Sequence, residues 1–560
     1  MPVISFCTRF IGLTFATSAL LIVSSCGGGG GGGPPPPPAP AQLTSISLSQ
    51  STLTLDRWDD SATISAQAKD QFGNDLGGAT ITWSSPDANI AAVDNAGEVT
   101  SWLAGDVDLT VEASMGGITV SETVAVTVAV QQNPNCQVPT EFPVKGPVAP
   151  PVNWVVQDVN TDFFDYVNGE LDEVVSYALD VDSDGDLDLL IVHGDQDARQ
   201  FGDLTTPVPT DARIWLNEGG GVFVDATAQM LLDLMPWDGP RWATYADING
   251  DGRRDVVVFQ TGFEGGDIGT GDCSLGVDYC PGAPNLILSP QPGGGLRELA
   301  ATNLNPYETE VFSHAGAVAD VDCDGDIDIL EPHWGGRSDP RDHHLQINAG
   351  DGTFAAEDDR FPENPDPGEI AIPGIVFCDL DRDGDQDMVV GLSPVQMDFV
   401  LIAVNDGFGF FRFLDAEVIP APTVVDGGHF DFGCGDFDLN GYPDLVMTGN
   451  RMELYLNDGD MVFRDVTDAN LGTITGLDPN GQAVVDLNND GWLDLIPDDN
   501  QRSVLWNSGD GVFVKEFLPP DIDGNDFHGT LAVGDFDGDG RLDIHGDTRD
   551  GRANRIAWNR

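Results

Sequence analysis

Seven times between Asp180 and Asp543 the chain repeats one nonapeptide: Asp, any, Asp or Asn, any, Asp or Asn, Gly, any, any, Asp, followed at once by an apolar run. Position 1 is Asp180, Asp247, Asp320, Asp379, Asp436, Asp486 and Asp535; position 3 is Asp182, Asn249, Asp322, Asp381, Asp438, Asn488 and Asp537. Position 5 is Asp184, Asp251, Asp324, Asp383, Asn440, Asp490 and Asp539, and position 9 is Asp188, Asp255, Asp328, Asp387, Asp444, Asp494 and Asp543. Hard cations such as calcium take six to eight oxygen ligands at about 2.3 to 2.6 Å, which carboxylates at positions 1, 3, 5 and 9 and a carbonyl at position 7 supply. Gly at position 6 permits the sharp turn that wraps a short loop around one ion. Position 7 holds Asp186, Arg253, Asp326, Asp385, Tyr442, Trp492 and Arg541 in turn, as expected if only its carbonyl matters. Up to seven calcium ions are therefore expected.

Helical calcium loops are a poor fit. They require an acid at position 12 and flanking helices, whereas that position is Ile191, Val258, Val390, Met447, Pro497 and Gly546 in six copies, with only Glu331 of the third complying, and strand-like runs such as DVVVF follow the loops. A merely solvated acidic surface explains abundant Asp but not the fixed spacing with Gly. Loops two, five and six carry Asn at position 3 or 5 and are expected to bind more weakly.

Each nonapeptide sits inside a larger unit. A strand of small and apolar residues enters it, a second leaves it, and a third ends in Asn at Asn217, Asn348, Asn405, Asn457 and Asn507. A Gly-rich turn then opens a fourth strand such as GVFVDAT or MVFRDVT. Four antiparallel strands repeated seven times, at intervals of 67, 73, 59, 57, 50 and 49 residues, predict an all-β fold: a seven-bladed β-propeller over residues 152–560. The chain stops at RIAWNR, a third strand, and NWVVQDV at 153–159 resembles the fourth strands. It is expected to complete the last blade and so remove the open edges of a linear array. These repeats resemble the FG-GAP/VCBS class, the propeller type of integrin α-subunits and many bacterial surface proteins. That class hosts many functions, so the resemblance implies a scaffold and its calcium loops, not a role.

The first 25 residues read as a secretory signal, with Arg9 before an apolar stretch. Val23-Ser24-Ser25-Cys26 resembles the lipobox of bacterial lipoproteins, which implies lipidation of Cys26; Gly27 after it implies, if the cell is Gram-negative, the outer membrane. Residues 26–41, seven Gly and then mostly Pro, suit a tether. Residues 42–130 alternate Thr, Ser and Val between Gly and Asn turns and predict a small β-sandwich that resembles the group 2 bacterial immunoglobulin-like domain, with Trp83 as a core anchor. A Pro-rich linker, 131–151, leads to the repeats. Of the six cysteines that remain, Cys273 and Cys280 are the first candidate disulfide, while Cys136, Cys323, Cys378 and Cys434 allow three pairings.

Net charge −69 disfavours binding to nucleic acid or to an anionic membrane through a basic patch, leaving lipid as the expected membrane contact. Strand direction puts the metal loops and Asn-Gly turns on one propeller face. The connections between second and third strands, long at about 194–211, 261–284 and 332–343, fall on the other, where binding functions concentrate. His193, His314, His333, His429, His528 and His545 fall toward that face, joined by Arg241, Trp242, Trp334, Arg337 and Arg341. Either they form a ligand face or they fill the funnel between blades. The expected role is adhesion, or capture of a carbohydrate or surface protein. The alternatives are an uronate-directed enzyme, because resemblance to ulvan and rhamnogalacturonan lyases implies His and Arg chemistry, and a structural factor of the cell surface.

Overall fold

The structure is a computed structural model. It describes residues 40–55, 60–102, 105–129, 133–137 and 154–160. From 173 to 559 it describes all but 195–210, 234–239, 261–283, 306–312, 314, 333–343, 362–371, 373, 393–398, 415–417, 421–428, 450, 460, 473–481, 498–502, 519–531 and 547–553. Cys26, Cys273 and Cys280, with the signal and the tether up to residue 39, lie outside the described residues. No helix among the described residues is long and apolar enough to cross a membrane.

The N-terminal unit is a β-sandwich. Gly105–Met115 and Ile118–Val128 form a long hairpin, flanked by Thr80–Ser84 and by the parallel strand Thr52–Leu55. Alternation along the hairpin buries Val107, Leu109, Val111 and Ala113 on one face while Asp106, Asp108 and Glu112 face water. Trp83 closes that core at 9% exposure, as its sequence context suggested.

The repeats form seven four-stranded antiparallel sheets, here called blades 1 to 7. Blade 1 is Glu173–Leu179, Asp188–Gly194, Asp211–Asn217 and Phe223–Asp225 in sequential order. Blades 2 to 6 repeat that order over 240–298, 317–356, 374–413, 429–465 and 482–517. Blade 7 takes three strands from the chain's end, Ala532–Gly534, Asp543–Gly546 and Asn554–Asn559, and its fourth from Trp154–Asn160. The last strand position is therefore filled as the sequence suggested, with Trp154 opposite Asn559.

Both faces of each blade are covered, which is why the second strands read as continuous apolar runs. Leu189 and Leu190 are successive residues, so they point to opposite faces: Leu189 joins a core with Trp558 of blade 7, Leu190 one with Val256 of blade 2. The same alternation builds cores between blades 2 and 3 (Val257, Ile329), 3 and 4 (Leu330, Met388), and 4 and 5 (Val389, Leu445). It continues between blades 5 and 6 (Val446, Leu495) and 6 and 7 (Ile496, Ile544). Each blade thus packs on the next, and blade 7 returns to blade 1.

The pairing of the four remaining cysteines is Cys136–Cys323 and Cys378–Cys434. The first ties the segment read as linker to the third nonapeptide. Asn133 strengthens that tie by donating its amide to the carbonyls of Asp322, at 3.0 Å, and Gly407, at 2.7 Å. The guanidinium of Arg412 in blade 4 lies 3.7 Å from the Trp102 ring centre, a cation–π contact between sandwich and propeller.

Candidate metal centres and ligand face

Each nonapeptide folds around its own carboxylates. Asp180 accepts the N–H of Asp184 and of Gly185, both at 3.1 Å. The same pair of bonds recurs at Asp247, Asp320, Asp436, Asp486 and Asp535. Two positions adopt left-handed backbone. Gly at position 6 does so, as at Gly185 with φ 96° and Gly384 with φ 101°, and so does position 4, as at Cys323 with φ 55° and Leu439 with φ 55°. Position 4 escaped the sequence reading, although Gly250 and Gly538 there were its signal.

The position-9 carboxylate has a structural task besides any ligation. Asp188 accepts from the N–H of Val181 at 2.7 Å through Oδ2 and from Asn217 at 2.8 Å through Oδ1, closing the loop and fixing the third strand. Asp328, Asp387, Asp444, Asp494 and Asp543 repeat both bonds. The third-strand Asn then latches the preceding blade: Asn217, Asn348, Asn405, Asn457, Asn507 and Asn559 donate to the position-2 carbonyls of Phe536, Ile248, Val321, Leu380, Phe437 and Leu487. In blade 2 Pro290 stands in place of Asn, and the backbone N–H of Gly295 donates to Val181 O instead.

Carboxylate oxygens converge within 4.8 Å of one another in five loops: Asp180, Asp182 and Asp188; Asp320, Asp322 and Asp328; Asp379, Asp381 and Asp383; Asp436, Asp438 and Asp444; Asp535, Asp537 and Asp539. These groups could hold metal ions. Loops two and six, with Asn249 and Asn488 at position 3, bring no such triad together. Burial pushes Asp188, Asp328, Asp494 and Asp543 up to about 7, Asp255 to about 6 and Asp444 to about 8. Loop four is the extreme: burial and neighbouring carboxylates push Asp381 up to about 8 and Asp385 up to about 11. Buried oxygens of Asp322, Asp379 and Asp385 have no hydrogen-bond donor. A donor set made only of oxygens, some of them buried and unbonded, fits a hard cation.

Position 7 is not neutral. Its side chain lies against the glycine of the third-to-fourth-strand turn, as Tyr442 does at Gly459, Trp492 at Gly509 and Asp385 at Gly407. In loops two and seven, Arg253 and Arg541 bend back to donate to the position-5 carboxylates of Asp251 and Asp539, and through Nε to the carbonyls of Pro290 and Asn559. Arg360 donates to Asp322 at 3.0 Å and so engages a position-3 carboxylate of loop three.

The proposed ligand face is described only in part. His314, His333, Trp334, Arg337, Arg341 and His528, with the three long connections, lie outside the described residues. His193 and His429 stand at strand ends remote from the metal loops, and Arg241 lies in the first strand of blade 2. Two residues depart from an outward-facing role. Trp242 packs against the core between blades 2 and 3. His545 is fully buried, because it occupies the register that holds Leu190, Val257 and Leu330 in other blades. Neither of its ring nitrogens has a hydrogen-bond partner, and burial lowers it to about 3.

Among solved structures, domains 4 and 5 of the S-layer protein SbsC are 20% identical over 16% of this chain and 54% of that one, with TM-score 0.15. The chain therefore spans about half of that first relative. Rhamnogalacturonan lyase YesW is 14% identical over 90% of each chain, with TM-score 0.37, and the Bacillus licheniformis rhamnogalacturonan lyase PL11 is 12% identical over 90% of each, with TM-score 0.36. No curated protein matches the chain. The family described as FG-GAP-like repeat matches at residues 180–258, 436–496 and 495–545, segments that contain five of the seven nonapeptides.

Proposed function

We propose that the chain is a calcium-braced extracytoplasmic binding protein, tethered through lipid on Cys26 and presenting the face opposite the metal loops to a carbohydrate or surface protein. The observation that carries the calcium reading is the convergence of three carboxylates in each of five loops, built by one repeated backbone geometry. Like charges brought that close disfavour ionisation unless a cation offsets them, and an all-oxygen set selects a hard one. The tether, the outer-membrane location and the ligand class rest on the sequence: a lipobox-like Val23–Cys26, a Gly and Pro tract, and long connections on one face.

Melting in calcium and in EGTA tests the brace. Each ion bound only by the native state adds about 2.7 kcal/mol at a hundred times its dissociation constant. Identical melting curves would remove calcium from the reading. Retention on a glycan array without release of unsaturated uronate from any anionic polysaccharide supports binding; appearance of that product makes the protein a lyase.

A further inference from the structure

The two ends of the sandwich differ in character. Its chain enters at the end where Leu43 stands opposite Asp70, and Gln71 pins that entry, donating its amide to Pro40 O at 3.0 Å and accepting the N–H of Gln42 at 2.7 Å. At the far end Gly105 stands opposite Val128, and Ile90 links it to Trp102, which meets Arg412 of the propeller.

Phe72, at 64% exposure, follows Gln71 in the turn that leaves Ala66–Asp70. That turn leads into Thr80–Ser84, whose first residue lies opposite Ser114, and a Cβ placed on Gly78 would meet Met115 Cε at 4.0 Å. Met115 stands opposite Ile118 at the hairpin tip, the two at 36% and 40% exposure. Among the described residues of the sandwich these three are the exposed large hydrophobic side chains, and all stand at the end where the chain enters. Single exposed apolar residues are ordinary; a cluster at one end marks an interaction surface.

That end also lacks free charge. Residues 71–74, 76–79 and 113–121 contain no charged side chain, in a chain of net charge −69. Asp75 is paired with Lys69, and Asp70 accepts the N–H of Phe72 and of Asn74, both at 2.8 Å. An apolar, uncharged tip can enter the surface of a bilayer, where a bare carboxylate would be costly. Cys26 precedes Pro40 by 14 residues, so a lipid on it keeps this end within about 50 Å of the membrane even with the chain fully extended. A second contact so close to the first is intramolecular, and the two reinforce one another.

We propose that Phe72, Met115 and Ile118 form a tip that enters the bilayer surface beside the lipid anchor, with the propeller at the outer end of the sandwich. The inference rests on the lipid tether of the proposed function. The test uses the full-length chain, expressed with its own signal, on phosphatidylcholine vesicles with plain or brominated acyl chains. Phe72→Trp adds an indole at the tip, and the fluorescence it adds to that of the parent chain should fall at least twofold in brominated vesicles. Adding Met115→Ser and Ile118→Ser should abolish that quenching while the chain still floats with the vesicles. A chain that floats with the indole unquenched overturns the tip and leaves the tether standing; a chain that does not float overturns the tether and the tip with it. Hydrogen exchange needs no substitution at the tip: amides of 71–74 and 115–118 should exchange at least threefold more slowly in the parent chain on vesicles than in Cys26→Ser in solution. Equal rates refute the proposal. Protection that grows with the concentration of Cys26→Ser, vesicles being absent, makes a second copy the occupant and refutes it too.

Discussion

Val156 stands opposite Ala557 in an antiparallel ladder, so the strand that precedes the first repeat and the strand that ends the last belong to one sheet. The blade 7 to blade 1 core, with Trp558 against Leu189 and Trp215, lies beside that ladder. Removing residues 154–160 exposes the third strand of blade 7 as an edge and loosens the closure on which both neighbouring cores depend. The expected result is loss of the propeller in one cooperative transition. Differential scanning calorimetry of the truncated chain checks this, and a transition at the wild-type temperature would show that closure contributes nothing.

The Asn latch acts at six of the seven blade boundaries. Asn507 is buried and serves three partners: its N–H donates to Asp494 Oδ1 at 2.9 Å, its amide to Phe437 O at 2.8 Å, and its Oδ1 accepts from Gly509 N at 3.0 Å. Asn507→Ala removes both side-chain bonds; the Phe437 carbonyl keeps the Gly511 N–H at 3.0 Å, and the Gly509 N–H loses its acceptor. Leaving a buried group unsatisfied costs about 1 to 3 kcal/mol, so about 2 kcal/mol is expected. Urea unfolding followed by tryptophan fluorescence measures it, with Asn507→Asp retaining the Gly509 bond and falling in between.

Much of this was legible because the chain repeats itself. Fixed spacing gave the loops, and period-two strands around them gave the blades, including the N-terminal strand that completes the seventh sheet. What escaped depends on contacts between repeats or across long separations. The latch from Asn457 to Leu380, the pairing of Cys136 with Cys323 and the docking of Asn133 join residues that no local pattern relates. Of the two readings open for the histidines, His545 takes the one that fills space between blades, because strand alternation puts it against blade 1, in an apolar register.

The loop carboxylates predict opposite pH responses with and without metal. Asp188, Asp328 and Asp543 are raised from 3.8 to about 7 by burial, so without a cation the folded state holds protons that the unfolded state has released. Stability of the stripped protein is then greatest in acid and falls as pH rises from about 4 through 7. A bound cation requires the ionised form, so affinity rises through that interval and binding releases protons. In EGTA the melting temperature should drop between pH 5 and pH 8; in excess calcium it should not. A pH-stat titration should record acid on calcium addition at pH 6.5 and much less at pH 9, where loop four, with Asp385 pushed up to about 11, still holds protons.

His545 acts in the other direction. Its folded value of about 3 lies below the unfolded 6.5, because burial between blades 7 and 1 disfavours the imidazolium and no acceptor compensates. The neutral form is at full advantage above pH 6.5, and stability is lost as pH falls from there toward 3. At pH 5 the difference of 1.5 units is worth about 2 kcal/mol. His545→Leu restores the residue type found at Leu190 and Leu330 in the same register. It also removes two unpartnered nitrogens from the apolar core. The variant should match or exceed wild type at pH 8 and exceed it by about 2 kcal/mol more at pH 5, by urea unfolding at both values. An equal difference at the two pH values would mean that His545 stays neutral in both states or finds a partner when charged.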